Sequence, residues 1–225
     1  KKDSLSIDGV ILFRPATGVT DTLSRDKGFY SGLKFNDGGD KLAFLASTDT
    51  LKSGNKHCSV WLWEDAVKKM PSKLSEILPQ GYAEGLPEDW GVNENAGLRF
   101  SRLSDRLFVG FGEMLPPKDT SLVDFETAQL DIWNYDIYIT PPMYKAAGNA
   151  GRAKELTYKA TVDLRDTGRR LVTLSQSVTE RISYIDGGEA DCVLAVEHGP
   201  YLISSTWDEN NWNDVALVSL RDGSR

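Results

Sequence analysis

The sequence is poor in several features that commonly mark a function. Its 225 residues include two cysteines and two histidines, which excludes a disulfide scaffold. The longest apolar runs, such as residues 10–13, fall far short of the ~18 residues that a membrane-spanning helix requires. Positive charge is also scarce, because 26 Lys and Arg stand against 33 Asp and Glu. A net charge of −7 does not suit a protein that binds nucleic acid or an anionic membrane.

Motifs for nucleophilic catalysis are missing as well. The sequence has no Gly-x-Ser-x-Gly, and the nearest approach, at residues 28–32, has the wrong spacing for a nucleophile elbow. Ser24 with Lys27, and Ser31 with Lys34, fit the pattern Ser-x-x-Lys. That pattern has two fixed positions and arises often by chance. We therefore predict no catalytic residue in this chain.

The histidines and cysteines offer no metal site by their spacing. His57 and His198 lie in a polar segment and at the end of a strand, so we interpret both as surface or turn residues. Cys58 and Cys192 open strands that look equivalent, and we expect small buried thiols. The acidic segment 208–214 departs from a calcium loop at its fifth and sixth positions. We predict no metal, no cofactor and no cofactor-binding residue, and we leave substrate-binding residues open.

What the sequence does have is a β-strand pattern. Twenty Gly, nine Pro and 10% aromatic residues accompany short segments in which apolar residues alternate with polar ones. One helical turn is predicted at residues 72–78, where three apolar residues follow a helical spacing between two prolines. The predicted strands are residues 10–13, 29–35, 41–47, 58–63, 97–101, 106–112, 129–136, 157–164, 169–174, 181–185, 191–197 and 213–220.

An internal repeat carries the fold prediction. Residues 33–44 match residues 98–109 without a gap, and a looser copy begins at residue 182. Each copy consists of a strand, a tight turn and a strand, and each is predicted to lead into a further alternating strand. Phe35, Phe100 and Tyr184 mark the same place in the three copies. Repeated sheets with glycine-rich turns are the signature of a β-propeller.

The predicted fold is all-β, a partial β-propeller of about three four-stranded blades with long loop insertions. The repeat spacings of 65 and 84 residues exceed the ~40–50 of a plain blade, and the insertions are expected at 64–95, 113–127 and 140–156. We expect residues 1–225 to be a fragment of a propeller domain. The repeat units are predicted at roughly 29–80, 95–175 and 180–225. A β-sandwich with chance similarity between its hairpins is the alternative.

The ends of the chain bear on this interpretation. It begins without Met and stops just after the Asp222-Gly223 turn, so we expect an excised piece of a longer protein. Three blades do not close a ring, because propellers need four to eight. We therefore expect an open arc whose end surfaces favour a homo-oligomer.

Four of the six tryptophans fall into two classes. Trp61 and Trp133 occupy equivalent positions in the strands that follow the first two repeats, which favours packing between blades. Trp90 and Trp207 lie in insertions and are freer to contact a ligand.

The insertions carry a resemblance to a known family. The segment 85–95, with Leu98-Arg99-Phe100-Ser101 and 107–110 after it, resembles the N-terminal propeller of bacterial prolyl oligopeptidase-type serine peptidases. The segment from residue 116 to 135 is similar to that family too. The resemblance covers about 30–225. The matching motifs belong to a non-catalytic domain, so they indicate the family but no catalytic or binding site.

The resemblance implies a function for the longer protein. In that family the propeller caps a C-terminal α/β-hydrolase domain, limits access to short peptides and helps to hold the substrate amino terminus. The Ser-Asp-His triad would lie in the hydrolase domain, outside this chain. The fragment itself would not be an enzyme, while the parent would be a dipeptidyl or acylaminoacyl peptidase-like hydrolase. Many relatives are exported, so a periplasmic or secreted location is expected.

Two other functions stay open at this point. A free-standing propeller similar to those of the periplasmic Tol system would dock a protein or peptide on its insertion face. A propeller glycosidase would use a pair of carboxylates, and Asp119, Asp124 and Glu126 are the candidates. The alternative interpretation is that these three residues are charged side chains of a solvated insertion.

Overall fold

The structure is a computed structural model that describes residues 8–26, 28–49, 55–65, 72–115 and 156–225. These residues form fourteen strands, three short 3-10 turns and no α-helix. Every strand pairing is antiparallel. The prediction of an all-β fold is confirmed.

The strands form a hairpin and three larger sheets in chain order. The hairpin consists of β1 (Val10–Arg14) and β2 (Val19–Ser24). Sheet I contains β3 (Phe29–Phe35), β4 (Lys41–Ser47), β5 (Ser59–Glu64) and β6 (Lys73–Leu78). Sheet II contains β7 (Trp90–Gly91), β8 (Leu98–Phe100), β9 (Arg106–Glu113), β10 (Tyr158–Asp163) and β11 (Leu171–Thr173). Sheet III contains β12 (Arg181–Tyr184), β13 (Cys192–Glu197) and β14 (Asp214–Ser219).

Sheet I is apolar on both faces, and its register explains why. Ala43 pairs with Leu62 across β4 and β5, whereas Phe44 pairs with Trp61 one position along. Neighbouring residues of a strand point to opposite faces, so the two pairs face opposite sides. Ala43, Leu62 and Phe44 are at most 1% exposed. A sheet buried on both faces is a middle layer that needs a partner on each side.

The sheets stack face to face in the order of the chain. One core cluster contains residues of both sheet I and sheet II, among them Leu45 and Val109. A separate cluster joins sheet II to sheet III through Phe108 and Val193. A third cluster places the hairpin against the other face of sheet I. This serial packing is the predicted arc of propeller-type sheets, in which each sheet contacts its neighbours along the chain.

The three repeat markers occupy one structural position. Phe35, Phe100 and Tyr184 each end the first long strand of their sheet. Phe100 packs into the cluster shared with sheet I, and Tyr184 packs against Phe108 of sheet II, with ring centroids 4.3 Å apart. Both side chains therefore face the preceding sheet. Phe35 is 46% exposed at the end of β3, which is an edge strand of sheet I.

The turns repeat as closely as the strands. The carbonyl oxygens of Asp40, Asp105 and Asp191 each accept a hydrogen bond of 2.8 Å from the residue that follows the third strand of their sheet. These three aspartates stand immediately before β4, β9 and β13. The same backbone closure therefore locks the same end of all three sheets.

Asn36 offers a test of this turn. Its Oδ1 accepts from the Lys41 backbone N–H at 2.9 Å, and its Nδ2 donates to Ser104 Oγ of sheet II at 2.9 Å. Because Asn36 is 8% exposed, Asn36→Ala should lower the free energy of unfolding by about 1–2 kcal/mol in a urea titration. Asn36→Ser should cost less, since Ser101 at the equivalent position accepts from Arg106 N–H through its hydroxyl. Equal losses for both variants would contradict the equivalence.

The predicted helical turn at residues 72–78 is wrong, because this segment is strand β6. Leu74 pairs with Trp63 and Leu78 pairs with Val60, with a register shift between Val60 and Trp61. The shift brings an extra residue into β6, so Ile77 and Leu78 are both buried. A bulge therefore produced apolar spacing that mimics a helix.

Other strand predictions are corrected by the pairing. The third strand of sheet II is β10, which pairs with β9 as β5 pairs with β4. The predicted strand at 129–136 and Trp133 lie outside the described residues. The predicted insertion at 64–95 contains β6 and β7, and neither β2 nor β7 was predicted. The sequence predicted β1 at residues 10–13 but not its partner β2.

Apolar side chains remain exposed at both ends of the arc. Ile11 and Phe13 of the hairpin are 64% and 59% exposed, and Val215 and Leu217 of β14 are 60% and 58% exposed. Val215 and Leu217 lie on the face of sheet III that points away from Phe108, because their neighbour Val218 is buried towards sheet II. These end faces are where the predicted homo-oligomer would form, which stays a prediction.

Candidate functional site

The connections at the two ends of the sheets differ strongly in length. Short turns join the first long strand of each sheet to the second at one end, which we call the turn face: 36–40, 101–105 and 185–191. The second strand of each sheet ends, and the third begins, at the opposite end, which we call the loop face. The residues between these strands are 48–58, 114–157 and 198–213, of which the structure describes 48–49, 55–58, 114–115, 156–157 and 198–213. Binding groups in proteins concentrate on long loops held by a rigid scaffold.

A pocket of about 290 Å³ opens on the loop face between sheets I and II. Trp90 of β7 meets Tyr158 of β10 edge to face, with ring centroids 4.5 Å apart. Phe111 supports the indole from β9 at 5.9 Å. Glu113 at the end of β9 also lines the pocket, and this residue is exposed. The pocket thus combines an aromatic wall with a solvent-accessible carboxylate.

Buried amides hold this pocket in place. Asn55 is 7% exposed, its Nδ2 donates to the Glu113 carbonyl at 2.9 Å, and its Oδ1 accepts from the Leu115 N–H at 2.6 Å. Asn93, 2% exposed, forms an isolated bridge with His57. The connection after β4 is therefore tied to the end of β9. The sequence did not reveal this, because the partners are separated by about sixty positions and the bonds run mostly to backbone atoms.

His57 has no catalytic arrangement among the described residues. Its backbone N–H donates to Asp49 Oδ2 at 2.7 Å, while its Nδ1 is buried without a hydrogen-bond partner in that part of the chain. A side-chain carbon added at Gly91 would stand 3.4 Å from Nδ1. The imidazole is half-buried rather than on the surface, and it lies in a connection as predicted.

The remaining predicted candidates are dispersed. Ser31 Oγ is buried without a hydrogen-bond partner among the described residues, and a bulge separates Ser31 from Lys34 in β3. Ser24 Oγ shares a hydrogen bond of 2.9 Å with Tyr30 Oη, and Lys27 lies outside the described residues. His198 Nδ1 contacts the Trp212 carbonyl at 2.9 Å.

The two cysteines are not equivalent, contrary to the prediction. Cys58 lies just before β5 on the loop face, whereas Cys192 begins β13 on the turn face. Cys58 is buried as predicted, and Cys192 is half-buried. Within the described ranges, no three His, Cys, Asp or Glu side chains come together as metal ligands.

Burial makes the Cys58 thiol a poor nucleophile. Desolvation, together with the negative charges of Glu94 and Asp49, raises its pKa to about 12. At pH 8 only about one molecule in ten thousand then carries the thiolate, which is the form that reacts with iodoacetamide. We expect Cys58 to stay unmodified in the native chain while Cys192 is alkylated, as measured by peptide mass spectrometry. Alkylation of Cys58 first would contradict its burial.

The carboxylates and tryptophans of the insertions are only partly described. Asp119, Asp124 and Glu126 lie outside the described residues. In the acidic segment 208–214, Asp208 accepts hydrogen bonds from the Asn210 N–H and the Trp212 indole. These bonds lower the pKa of the Asp208 carboxyl group, and they occupy both of its oxygens within the loop.

A second cleft, of about 530 Å³, lies at the inner edge of the arc near the turn face. We call it the inner cleft. It is lined by cationic, aromatic and acidic side chains from β3, β8 and the turns after them: Lys34, Phe35, Asp37, Arg99, Phe100 and Arg102. The first long strands of sheets I and II face each other here. The repeat predicted this juxtaposition of strands, but it did not single out these side chains.

Comparisons with known proteins identify no family for this chain. No family model matches the chain, and no curated protein matches it. Among solved structures, the crystal structure of TolB from Acinetobacter baumannii is similar with 10% sequence identity and a TM-score of 0.37. The match covers 96% of this chain and 36% of the TolB chain, so this chain spans about a third of that protein's length. No helix in the described part of the chain is long and apolar enough to cross a membrane.

Proposed function

We propose that this chain is a propeller-type binding module that holds a peptide at its loop face. The observation that supports this most is the loop-face pocket, where Trp90, Tyr158 and Glu113 meet on a preorganised support. An exposed carboxylate beside aromatic rings is complementary to a protonated amine, through an ion pair and cation–π attraction. The ligand class is therefore the free amino terminus of a peptide.

The test is a titration with a short peptide, monitored by Trp90 side-chain resonances. A peptide with a free amino terminus should bind more tightly than its acetylated form, and Glu113→Gln should remove most of that difference. Glu84→Gln is the matched control, because Glu84 is an exposed carboxylate in the connection between β6 and β8. Equal binding of the free and acetylated peptides would overturn the proposal.

We further propose that the module limits access to an α/β-hydrolase domain of a longer, exported serine peptidase. The support is the resemblance of its insertions to the propellers of that family. The chain alone would then hydrolyse no peptide substrate. A Tol-like module that only binds remains the second candidate. Sequencing the gene beyond codon 225 separates them, because the peptidase requires a Gly-x-Ser-x-Gly followed by Asp and His.

A further inference from the structure

We propose that the inner cleft binds the carboxylate of a peptide segment that carries an apolar side chain next to it. The proposal deepens the proposed function, because it assumes that the module binds peptides. It concerns a different surface, at the turn face rather than the loop face. The cleft is lined by residues of sheets I and II and by Gly187 of the turn between β12 and β13 in sheet III.

Two cations line the cleft, Lys34 from the sheet I side and Arg99 from the sheet III side. Lys34 pairs with Ala43, whose side chain faces sheet II, so Lys34 points towards sheet II. Arg99 pairs with Phe108, which faces sheet III. The Arg99 guanidinium accordingly lies 4.5 Å from the Tyr184 ring centroid. Stacking on an aromatic face leaves the in-plane N–H groups of a guanidinium available to an anion.

These two cations have no carboxylate within ion-pair distance in the described part of the chain, unlike Arg102. Arg102 Nη2 contacts Asp186 Oδ2 at 3.1 Å. Asp37 also lines the cleft and offsets one positive charge. The lining therefore keeps a small positive surplus in a chain whose net charge is −7. Such a surplus suits an anion, and a carboxylate accepts charge-assisted hydrogen bonds from Lys and Arg side chains.

The apolar residues of the cleft indicate that the ligand also carries an apolar side chain. Leu98 and Phe100 are 9% and 8% exposed and form the floor, while Phe35 is 46% exposed at the rim. An apolar side chain beside the carboxylate would cover Phe35 and gain about 25 cal/mol for each Å² of apolar surface buried. The volume of about 530 Å³ lies within the range typical of ligand sites.

The experiment titrates the chain with three N-acetylated peptides and follows Lys34 and Arg99 resonances. The first peptide ends in leucine with a free carboxylate, the second has a carboxamide end and an internal glutamate, and the third has a carboxamide end and no acid. We expect the first or second peptide, whichever supplies the recognised carboxylate, to bind at least tenfold more tightly than the third. Equal binding of all three would overturn the proposal.

Charge variants locate the effect. Lys34→Gln should weaken binding of the acidic peptide about tenfold, which corresponds to the loss of one charge-assisted hydrogen bond. Lys73→Gln, at an exposed position of β6, should change nothing. Equal losses in the two variants would show a general charge effect and overturn the site. If a peptide with a free amino terminus perturbs Trp90 while none of the N-acetylated peptides perturbs Lys34 or Arg99, the proposed function survives and this inference fails. If neither kind of peptide binds, both fail.

Discussion

Phe108→Ala should lower the free energy of unfolding by about 3–5 kcal/mol, which is typical of a large aromatic removed from a packed core. Phe108 is 2% exposed and is the sheet II residue around which the sheet II–III cluster forms. Its ring lies 4.3 Å from Tyr184. Because the other face of sheet II packs on sheet I, amide exchange should accelerate in β13 far more than in β4. Urea denaturation and hydrogen exchange measure the two effects.

Leu217→Ala is the matched control for Phe108→Ala. Leu217 is also apolar and belongs to sheet III, but it is 58% exposed on the outer face. For the monomeric chain we expect a change within about 0.5 kcal/mol, as for other surface substitutions. A loss of several kcal/mol at Leu217 would mean that the outer face is buried in an oligomer, and a loss below about 1 kcal/mol at Phe108 would contradict the packing of sheet III on sheet II.

Arg225→Ala should destabilise the chain by about 3 kcal/mol, because it leaves a buried carboxylate without its cation. Glu180 is 2% exposed at the side chain, and Arg225 binds it through two hydrogen bonds of 2.6 and 2.7 Å. Arg225 also donates to the Leu174 carbonyl at 3.2 Å. The pair therefore ties the segment after β14 to the connection between sheets II and III. A thermal or urea unfolding curve measures the loss.

The control for Arg225 is Arg165→Ala. Arg165 also makes a two-point contact with a carboxylate, Asp163, but its side chain is 57% exposed. Exposed ion pairs contribute about 0–1 kcal/mol, so the control should cost at most that amount. Similar losses for the two arginines would contradict the role of burial.

Much of the architecture was predictable because the repeat and the alternation report on backbone geometry. β4 was predicted at its observed bounds, and the equivalence of Phe35, Phe100 and Tyr184 follows from an ungapped match and one looser copy. Alternation of apolar and polar residues predicts a strand correctly where each residue pairs with a single residue of the neighbouring strand. It failed at β6, where a bulge places Ile77 and Leu78 together in the core.

The candidate sites were less accessible to sequence reasoning. The loop-face pocket depends on Asn55. Its side chain bonds to the backbone carbonyl of Glu113 in β9 and to the backbone N–H of Leu115 just after that strand. No local motif encodes such a contact. The inner cleft depends on Lys34 and Arg99 lying at equivalent repeat positions. The repeat shows that the two positions are equivalent. A cation there can be assigned to a cleft only when the sheet that it faces is known.

The most direct test of the account is a proton NOE spectrum that reports which sheets touch. Serial packing predicts contacts between the Phe108 and Tyr184 rings, and between methyl groups of sheet I and sheet II in the cluster that contains Leu45 and Val109. It predicts no contact between the methyl groups of Leu45 and those of Val218 in sheet III, which belong to separate clusters. Strong contacts between sheet I and sheet III methyl groups, as in a closed sandwich, would contradict the propeller arc.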